Sequence, residues 1–97
     1  MATYISLINF TDQGIRNIKE TTKRVDAVKE FANKYGVNAK EFFWTVGNYD
    51  MVLIADAPDD KSFSAWALSI GSLGNVRMQT LTAFSKEDMN EIIAKMI

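Results

Sequence analysis

Four stretches of the chain are rich in β-branched and aromatic residues and are bounded by turn-forming residues, which predicts four β-strands. They span residues 4–10, 41–46, 51–57 and 76–84. The third is almost entirely apolar, which is typical of a central strand that is buried on both faces. Between the second and third strands, Gly47-Asn48-Tyr49-Asp50 predicts a hairpin turn, because Gly and Asn tolerate the positive φ that such turns need.

Apolar residues between the first two strands recur at helical spacing over residues 15–35, and Gly36 then stands where a C-terminal capping glycine belongs. Thr21-Thr22 interrupts the spacing. Because β-branched residues form helices poorly, we expect a short helix followed by a longer one from about Lys23.

Polar caps mark the starts of the helices. Thr11 or Asp12 can cap the first, Asp59 can cap a helix after the third strand, and Ser85 with Asp88 resembles a capping box before a final helix. The last two helices each carry an apolar stripe. The stripes consist of Phe63, Trp66, Ala67 and Ile70, and of Met89, Ile92, Ile93 and Met96.

The predicted order is β-α-β-β-α-β followed by a C-terminal helix, in one domain over residues 1–97. This is the split βαβ, or ferredoxin-like, pattern of the α+β class, with a four-stranded antiparallel sheet. Right-handed crossovers place both intervening helices on the same face of the sheet. The other face is left without helices.

Neither set of alternating side chains on the strands is clearly polar. Ile8, Phe10, Val76 and Met78 make the uncovered face, or its opposite, too apolar to leave in water. We therefore expect a second copy to pack sheet to sheet, in a homodimer or higher oligomer. The alternative is that the C-terminal helix folds back over this face within one chain.

Composition narrows the chemistry. The chain has no Cys and no His, which removes disulfides, a thiol nucleophile and the commonest general base and zinc ligand. We predict no metal site and no cofactor. The formal net charge of −1 gives no field that attracts nucleic acid, and no apolar run is long enough to span a bilayer. The N-terminus does not resemble a signal peptide, so we expect a cytoplasmic protein that binds neither nucleic acid nor membrane.

Four segments, in the same order, resemble the GYD-domain family, whose name refers to the residues that stand here as Gly47, Tyr49 and Asp50. The segments are residues 10–16, 47–50, 57–60 and 71–77, and the resemblance extends over nearly the whole chain. It implies a dimeric α/β barrel, in which two ferredoxin-like sheets pack face to face. The family is bacterial and archaeal and largely without an assigned activity.

Tyr49 and Asp50 place a phenol beside a carboxylate, a pair that could orient a ligand or move a proton at the mouth of a barrel. The alternative is turn chemistry, with Asp50 bonded to turn backbone and Tyr49 packed on a neighbouring strand. Asn75 and Arg77 follow a helix, and Arg77 could bind a carboxylate or phosphate. The alternative for Arg77 is a salt bridge to a nearby acid such as Asp50 or Asp56.

Thr11 and Gln13 lie at the end of a strand and before a helix, where backbone N–H groups could hold an anion or could simply be capped. Trp44, with other aromatic residues on the strands, could line a pocket for an aromatic ligand or could belong to the core. RNA binding is not expected, since the fourth strand lacks the basic, glycine and aromatic pattern of RNA-binding sheets. We expect a solvated helix face at Lys19, Lys23, Arg24 and Lys29.

Three functions fit these features. The first is a homo-oligomeric module that binds a small metabolite or regulates a partner, which the lack of His and Cys favours over catalysis. The second is a small cofactor-independent enzyme, such as a monooxygenase or isomerase, with its site between sheet and helices. The third is a structural assembly subunit. The candidate ligand-binding residues are Thr11, Gln13, Trp44, Tyr49, Asp50, Asn75 and Arg77.

Overall fold

The computed structural model describes all 97 residues and contains one antiparallel sheet of four strands. The strands are β1 (Ala2–Phe10), β2 (Asn38–Trp44), β3 (Met51–Ala57) and β4 (Val76–Ala83). They lie in the order β2-β3-β1-β4, so the first and third strands are central. This is the ferredoxin-like order that the alternation of strands and helices predicts.

The first crossover contains α1 (Asp12–Arg16), a 3₁₀ turn (Ile18–Glu20) and α2 (Thr21–Ala32). The crossover is divided into a short and a longer helix as expected, but Thr21-Thr22 do not cause the break. They are the first two residues of α2, and the interruption lies before them. A second 3₁₀ turn (Asn33–Tyr35) follows, and Gly36 then has a left-handed φ of 68°, as a C-terminal capping glycine requires. The side chain of Thr11 caps α1 by accepting a hydrogen bond from the Gly14 N–H.

The second crossover is α3 (Asp60–Ser72), and α4 (Lys86–Ala94) follows β4. Asp59 caps α3 as predicted, since its carboxylate accepts the Ser62 N–H at 2.8 Å. Ser85 and Asp88 form a complete capping box at the start of α4. No helix is long and apolar enough to cross a membrane.

The predicted strand bounds differ most at β2, where both ends are wrong, while β1 begins two residues earlier and β4 ends one residue earlier than predicted. β2 begins at Asn38 and ends at Trp44, whereas the aromatic run predicted a strand over residues 41–46. The strand starts earlier because Asn38 and Ala39 pair with β3 ahead of an irregularity in the register, and paired backbone rather than side-chain type defines a strand. It ends earlier because the chain turns away through Gly47, whose φ is 131°.

The helix-covered face of the sheet, beneath α2 and α3, forms the core. Leu53 of β3 and Trp66 of α3 are completely buried there. The Tyr4 ring stacks on Phe63 with ring centroids 4.4 Å apart, and the Trp66 indole donates to the Val28 carbonyl at 3.2 Å. Ser6 is the buried polar residue of this face, and its hydroxyl lies 2.8 Å from that of Thr80. Burial therefore removes apolar surface from water without leaving a buried polar side chain unpaired.

The opposite face, which we call the open face, is apolar at its centre and only half-buried. The pairs Ile5–Ile54 and Leu7–Val52 lie side by side across β1 and β3. Leu81 extends this patch onto β4 and is 44% exposed. The expectation that β3 is buried on both faces is thus wrong for the single chain: only one of its faces lies under helices. The sequence left open whether the uncovered face or its opposite holds Ile8, Phe10, Val76 and Met78. In the structure all four lie on the helix-covered face, in or against the core.

The C-terminal helix does not fold back over the open face. Its apolar side chains remain exposed, with Met96 at 70% and Ile93 at 55%. It lies near the end of the sheet where β1 begins and β4 ends, beside Thr3 and Ala83. The radius of gyration is 14.6 Å, against roughly 12.5 Å for a compact chain of this length. The alternative in which α4 completes a monomeric core is therefore wrong.

Candidate functional site

A cavity of about 250 Å³ lies between the helix-covered face of the sheet and the gap separating α2 from α3. Thirteen of its 16 lining residues are hydrophobic, and they come from β1, β2, β3, β4, α2 and α3. The polar lining residues are Thr21, Arg24 and Asn75. An apolar cavity with a few polar groups is the usual form of a small-molecule site.

The cavity lies where α2 and α3 pack mainly on the sheet and little on each other. Val28 and Phe31 of α2 line one wall, and Ile70 with Leu73 line the other. Phe10, Met51 and further strand residues form the floor. The sequence therefore supplies apolar stripes on both helices, and the spacing between the helices leaves a void that the stripes do not fill.

Arg24 is the charged residue of the lining and is half-buried. Its guanidinium donates from Nη1 to the Asn17 carbonyl at 2.7 Å and from Nη2 to the Gly14 carbonyl at 3.3 Å. No carboxylate lies within ion-pair distance of it, since the two salt bridges of the chain join Lys23 to Glu20 and Lys40 to Asp56. The expectation that Arg24 belongs to a solvated helix face is therefore wrong.

A signal for this placement was present in the sequence. Arg24 stands four residues before Val28 and seven before Phe31, so it shares their side of the helix. A charged residue on an apolar stripe at this spacing indicates a position at the edge of the core. Sequence reasoning grouped Arg24 with neighbouring lysines and so missed its position.

The loop after β1 and the loop before β4 are fastened together beside Arg24. The Thr11 N–H donates to the Asn75 carbonyl at 3.0 Å, and the Thr11 hydroxyl donates to the Gly74 carbonyl at 2.6 Å. Gln13 Nε2 donates to the Leu73 carbonyl at 3.0 Å and to Asn75 Oδ1 at 2.9 Å. Three of the predicted residues, Thr11, Gln13 and Asn75, are thus brought together.

Close backbone approach explains the glycine in this junction. A Cβ added to Gly14 would lie 2.0 Å from the Asn75 carbonyl oxygen, so only glycine fits there. Gly74 has a φ of 87°, which other residues rarely adopt. These two positions fix how the end of α3 meets the start of α1.

Trp44 is linked to the edge of the cavity by a hydrogen bond to Thr21. Its indole Nε1 donates to the Thr21 hydroxyl oxygen at 3.0 Å, and Thr21 in turn lines the cavity. Trp44 itself is 43% exposed and is not among the lining residues. The aromatic side chains that line the cavity are Phe10, Phe31 and Phe42.

Tyr49 and Asp50 lie at the same end of the sheet but engage separate partners. Asp50 extends the pairing of β1, because its carboxylate accepts the Phe10 N–H at 2.9 Å and its own N–H donates to the Ile8 carbonyl at 2.9 Å. The Tyr49 hydroxyl donates to Gln79 Oε1 at 3.3 Å. Neither residue lines the cavity.

Arg77 is on the open face, opposite Asn9 of β1, and is exposed. The alternative that it pairs with Asp50 or Asp56 is wrong: Asp50 accepts from backbone, and Asp56 pairs with Lys40 at 3.4 Å. All seven predicted residues therefore gather at one end of the sheet. Of the seven, Asn75 lines the cavity.

A buried phenol lies at the opposite end of the helix-covered face. The Tyr4 hydroxyl donates to the Asp60 carboxylate at the start of α3. That hydrogen bond, together with burial and the charge of Asp60, raises the pKa of Tyr4 to about 12. The hydrogen bond to the Ser62 N–H lowers the pKa of the neighbouring Asp59 carboxyl. These groups fix the junction of β1 with α3.

Comparison with known proteins places the chain among relatives. The family model of the GYD domain matches residues 4–93. A protein of Thermus thermophilus named glutamine synthetase and cystathionine beta-lyase binding protein is 29% identical over 90 residues, which cover 92% of this chain and 95% of that protein. The match therefore extends over nearly the full length of both chains.

Two solved structures share the fold. A feast or famine regulatory protein from M. tuberculosis, complexed with L-methionine, superposes with a TM-score of 0.68 at 13% identity, over 89% of this chain and 52% of that one. The chain thus spans about half the length of that protein. A Thermus thermophilus protein superposes with a TM-score of 0.57 at 26% identity, over 88% of this chain and 95% of that one.

Proposed function

This chain belongs to the GYD-domain family, and we propose that it is a homo-oligomeric regulatory module that binds a small molecule between its sheet and helices. The observation that carries this proposal is the cavity of about 250 Å³ under α2 and α3, lined mainly by apolar side chains. The cavity is partly open to solvent, so its apolar lining stays in contact with water, at a cost in stability, unless something fills it. A bound ligand recovers that loss.

The open face supports self-association. Ile5, Leu7, Val52 and Ile54 form a continuous apolar patch that neither α2, α3 nor α4 covers. A soluble monomer rarely leaves such a patch in contact with water. A second copy would cover it with an equally apolar surface, while the cavity on the other face of each sheet would stay accessible.

The relative's name supports a regulatory role and suggests a second candidate function. A full-length match to a protein named for binding glutamine synthetase and cystathionine beta-lyase favours a chain that binds a metabolic enzyme. The ligand would then modulate that contact. Catalysis by Tyr49 and Asp50 has no comparable support, because Asp50 is engaged with backbone and Tyr49 with Gln79.

Native mass spectrometry of the full chain purified without denaturation tests the main proposal. We expect a dimer or larger assembly that carries additional mass, which is lost when the protein is denatured. A monomer without added mass would contradict both parts. A matched preparation of the Ala27→Leu variant, which narrows the cavity at a solvent-exposed helix position, should keep the assembly and lose the added mass.

The second candidate is tested by surface-immobilised glutamine synthetase from the same cells. Binding of the wild-type chain above that of a heat-unfolded control is the expected result. If the chain does not bind the enzyme either with or without the native small molecule, enzyme regulation is removed from the proposal. The ligand-binding part of the proposal is unaffected.

A further inference from the structure

The polar side chains that line the cavity all have unused hydrogen-bond donors, and the one charged side chain among them is a cation. A guanidinium carries five N–H donors and no acceptor. Arg24 uses two of these N–H groups on the Asn17 and Gly14 carbonyls, which leaves three without a protein partner. The guanidinium also lacks a carboxylate within ion-pair distance.

The orientation of the Asn75 amide follows from its neighbours. Gln13 Nε2 donates to the Leu73 carbonyl, which can only accept, so Gln13 must present its NH₂ group to both of its partners. Asn75 must therefore present its oxygen to Gln13. The Asn75 NH₂ group is therefore left without a protein partner, and Asn75 is one of the residues that line the cavity.

The Thr21 hydroxyl also has a donor hydrogen without a partner. The Trp44 indole is a donor only, so the Thr21 hydroxyl oxygen accepts from it and the hydroxyl hydrogen is unused. Thr21 and Arg24 are three residues apart on α2 and are therefore neighbours on the helix surface. Arg24 is bonded to Gly14, whose Cα lies against the Asn75 carbonyl. The three donors thus belong to one end of the cavity.

A donor-rich, positively charged end joined to an apolar cavity is complementary to an anion with an apolar body. A cavity of roughly 150 Å³ is enough for one benzene ring, so about 250 Å³ holds a ring or branched chain with a short polar extension. We propose that the ligand is a small carboxylate of this kind, with its carboxylate received by Arg24 and its apolar part among Phe31, Phe42 and Met51. This inference rests on the proposed function and specifies its ligand class.

The test compares two probes of equal size, phenylacetate and its neutral amide phenylacetamide, on the full-length protein. Isothermal titration calorimetry gives the affinities, and ¹H–¹⁵N NMR shifts of the Arg24 side chain and of Val28 locate the site. We expect phenylacetate to bind about ten-fold or more tightly than the amide, since a hydrogen bond to a charged group is stronger than one between neutral groups. Acetate, which lacks the apolar body, should not bind measurably.

Variants separate the role of Arg24 from general charge. Arg24→Met should reduce the preference for the carboxylate to about two-fold or less while retaining the amide, because the apolar walls are unchanged. Lys29→Gln removes a positive charge from the same helix at an exposed position outside the cavity and should leave both affinities unchanged. If Arg24→Met does not fold, Ala27→Leu still reports whether the bound probe occupies the cavity.

Equal binding of both probes at the cavity would overturn the carboxylate class and leave the proposed binding function intact. If Lys29→Gln weakens phenylacetate binding as much as Arg24→Met does, the carboxylate class is also overturned, because the attraction is then non-specific. If neither probe shifts the cavity resonances, the assignment of this ligand class fails. A separate absence of native ligand from the assembly would then count against the proposed function itself.

Discussion

The two faces of the sheet are built from the same four strands but differ in how deeply their side chains are buried. On the helix-covered face, Leu53 and Ala55 of β3 are fully buried. On the open face, Val52 and Ile54 of the same strand are only half-buried. Both sets are apolar, so hydrophobicity alone does not distinguish them.

The difference teaches that the chain carries apolar side chains on both faces of its sheet and buries only one of these faces under its own helices. The core under the helices is small, with 14 of 97 residues buried. A domain of this size gains limited stability from its own burial. The open face is therefore the surface from which association would draw further stability, and perturbing the two faces separately tests that division.

The largest expected effect is on the helix-covered face. Leu53→Ala should lower the free energy of unfolding by about 2–5 kcal/mol, because the side chain is fully buried and its removal enlarges a cavity. The matched variant Ile54→Ala on the open face should cost about 1 kcal/mol at low protein concentration. Urea unfolding of both variants makes the comparison.

The same pair also tests self-association. If a second copy covers the open face, the loss for Ile54→Ala grows with protein concentration, because association stabilises the folded chain. A loss for Ile54→Ala that is as large as that for Leu53→Ala at every concentration would mean that the open face is buried within the single chain.

A charge on the open face should break the assembly. Ile54→Lys places an unpaired ammonium in the proposed interface and should weaken association at least about 30-fold. Sedimentation equilibrium measures this as a shift towards the protomer mass of 10.9 kDa. The control is Thr82→Lys, at an exposed position of β4 whose side chain lies on the side of the sheet opposite the open face. It should leave the mass unchanged. An unaltered mass for Ile54→Lys would refute the open-face interface.

The buried phenol gives the helix-covered face a pH signature. The unfolded chain releases the Tyr4 proton near 10.0 and the folded chain near 12, so the stabilisation is complete below about pH 10 and is lost as pH rises towards 12. Because Asp60 is exposed and solvent screens its charge, the stabilisation is smaller than the full shift would give. Tyr4→Phe should be less stable at neutral pH, and its stability should fall less between pH 10 and 12. Parallel falls in both proteins would show that Tyr4 does not cause the loss.

The smallest expected effect is at Tyr49, beyond the edge of the same sheet. Tyr49→Phe removes a 3.3 Å hydrogen bond to Gln79 at an exposed site and should change stability by no more than about 0.5 kcal/mol. Thermal unfolding is sufficient to measure it. A loss above about 2 kcal/mol would give Tyr49 a structural role that its contacts do not indicate.

The local sequence predicted much of the fold. Helix starts at Thr11, Asp59 and Ser85 follow from side chains that bond to backbone within three residues, so neighbours along the chain determine them. Gly36 ends its helix for an equally local reason. The bounds of β2 depend on pairing with β3 across the sheet, and no local pattern contains that information.

The candidate site divides in the same way. The segment motifs drew attention to Thr11, Gln13 and Asn75, which do meet, and Asn75 lines the cavity. They did not identify Arg24, whose importance comes from the Gly14 carbonyl that holds it and from the absence of an acid near it. Such relations join residues from separate elements.

The sequence by itself determined the order of elements, their caps and the apolar character of both strand faces, because these depend on residue type and period. Only the tertiary structure decided which face the helices cover, where the gap between α2 and α3 leaves a cavity, and that α4 stays off the open face. Each depends on the packing of elements distant in sequence. For the same reason, the apolar residues on both sides of the strands could indicate that apolar surface is left uncovered but could not say on which face of the sheet it lies.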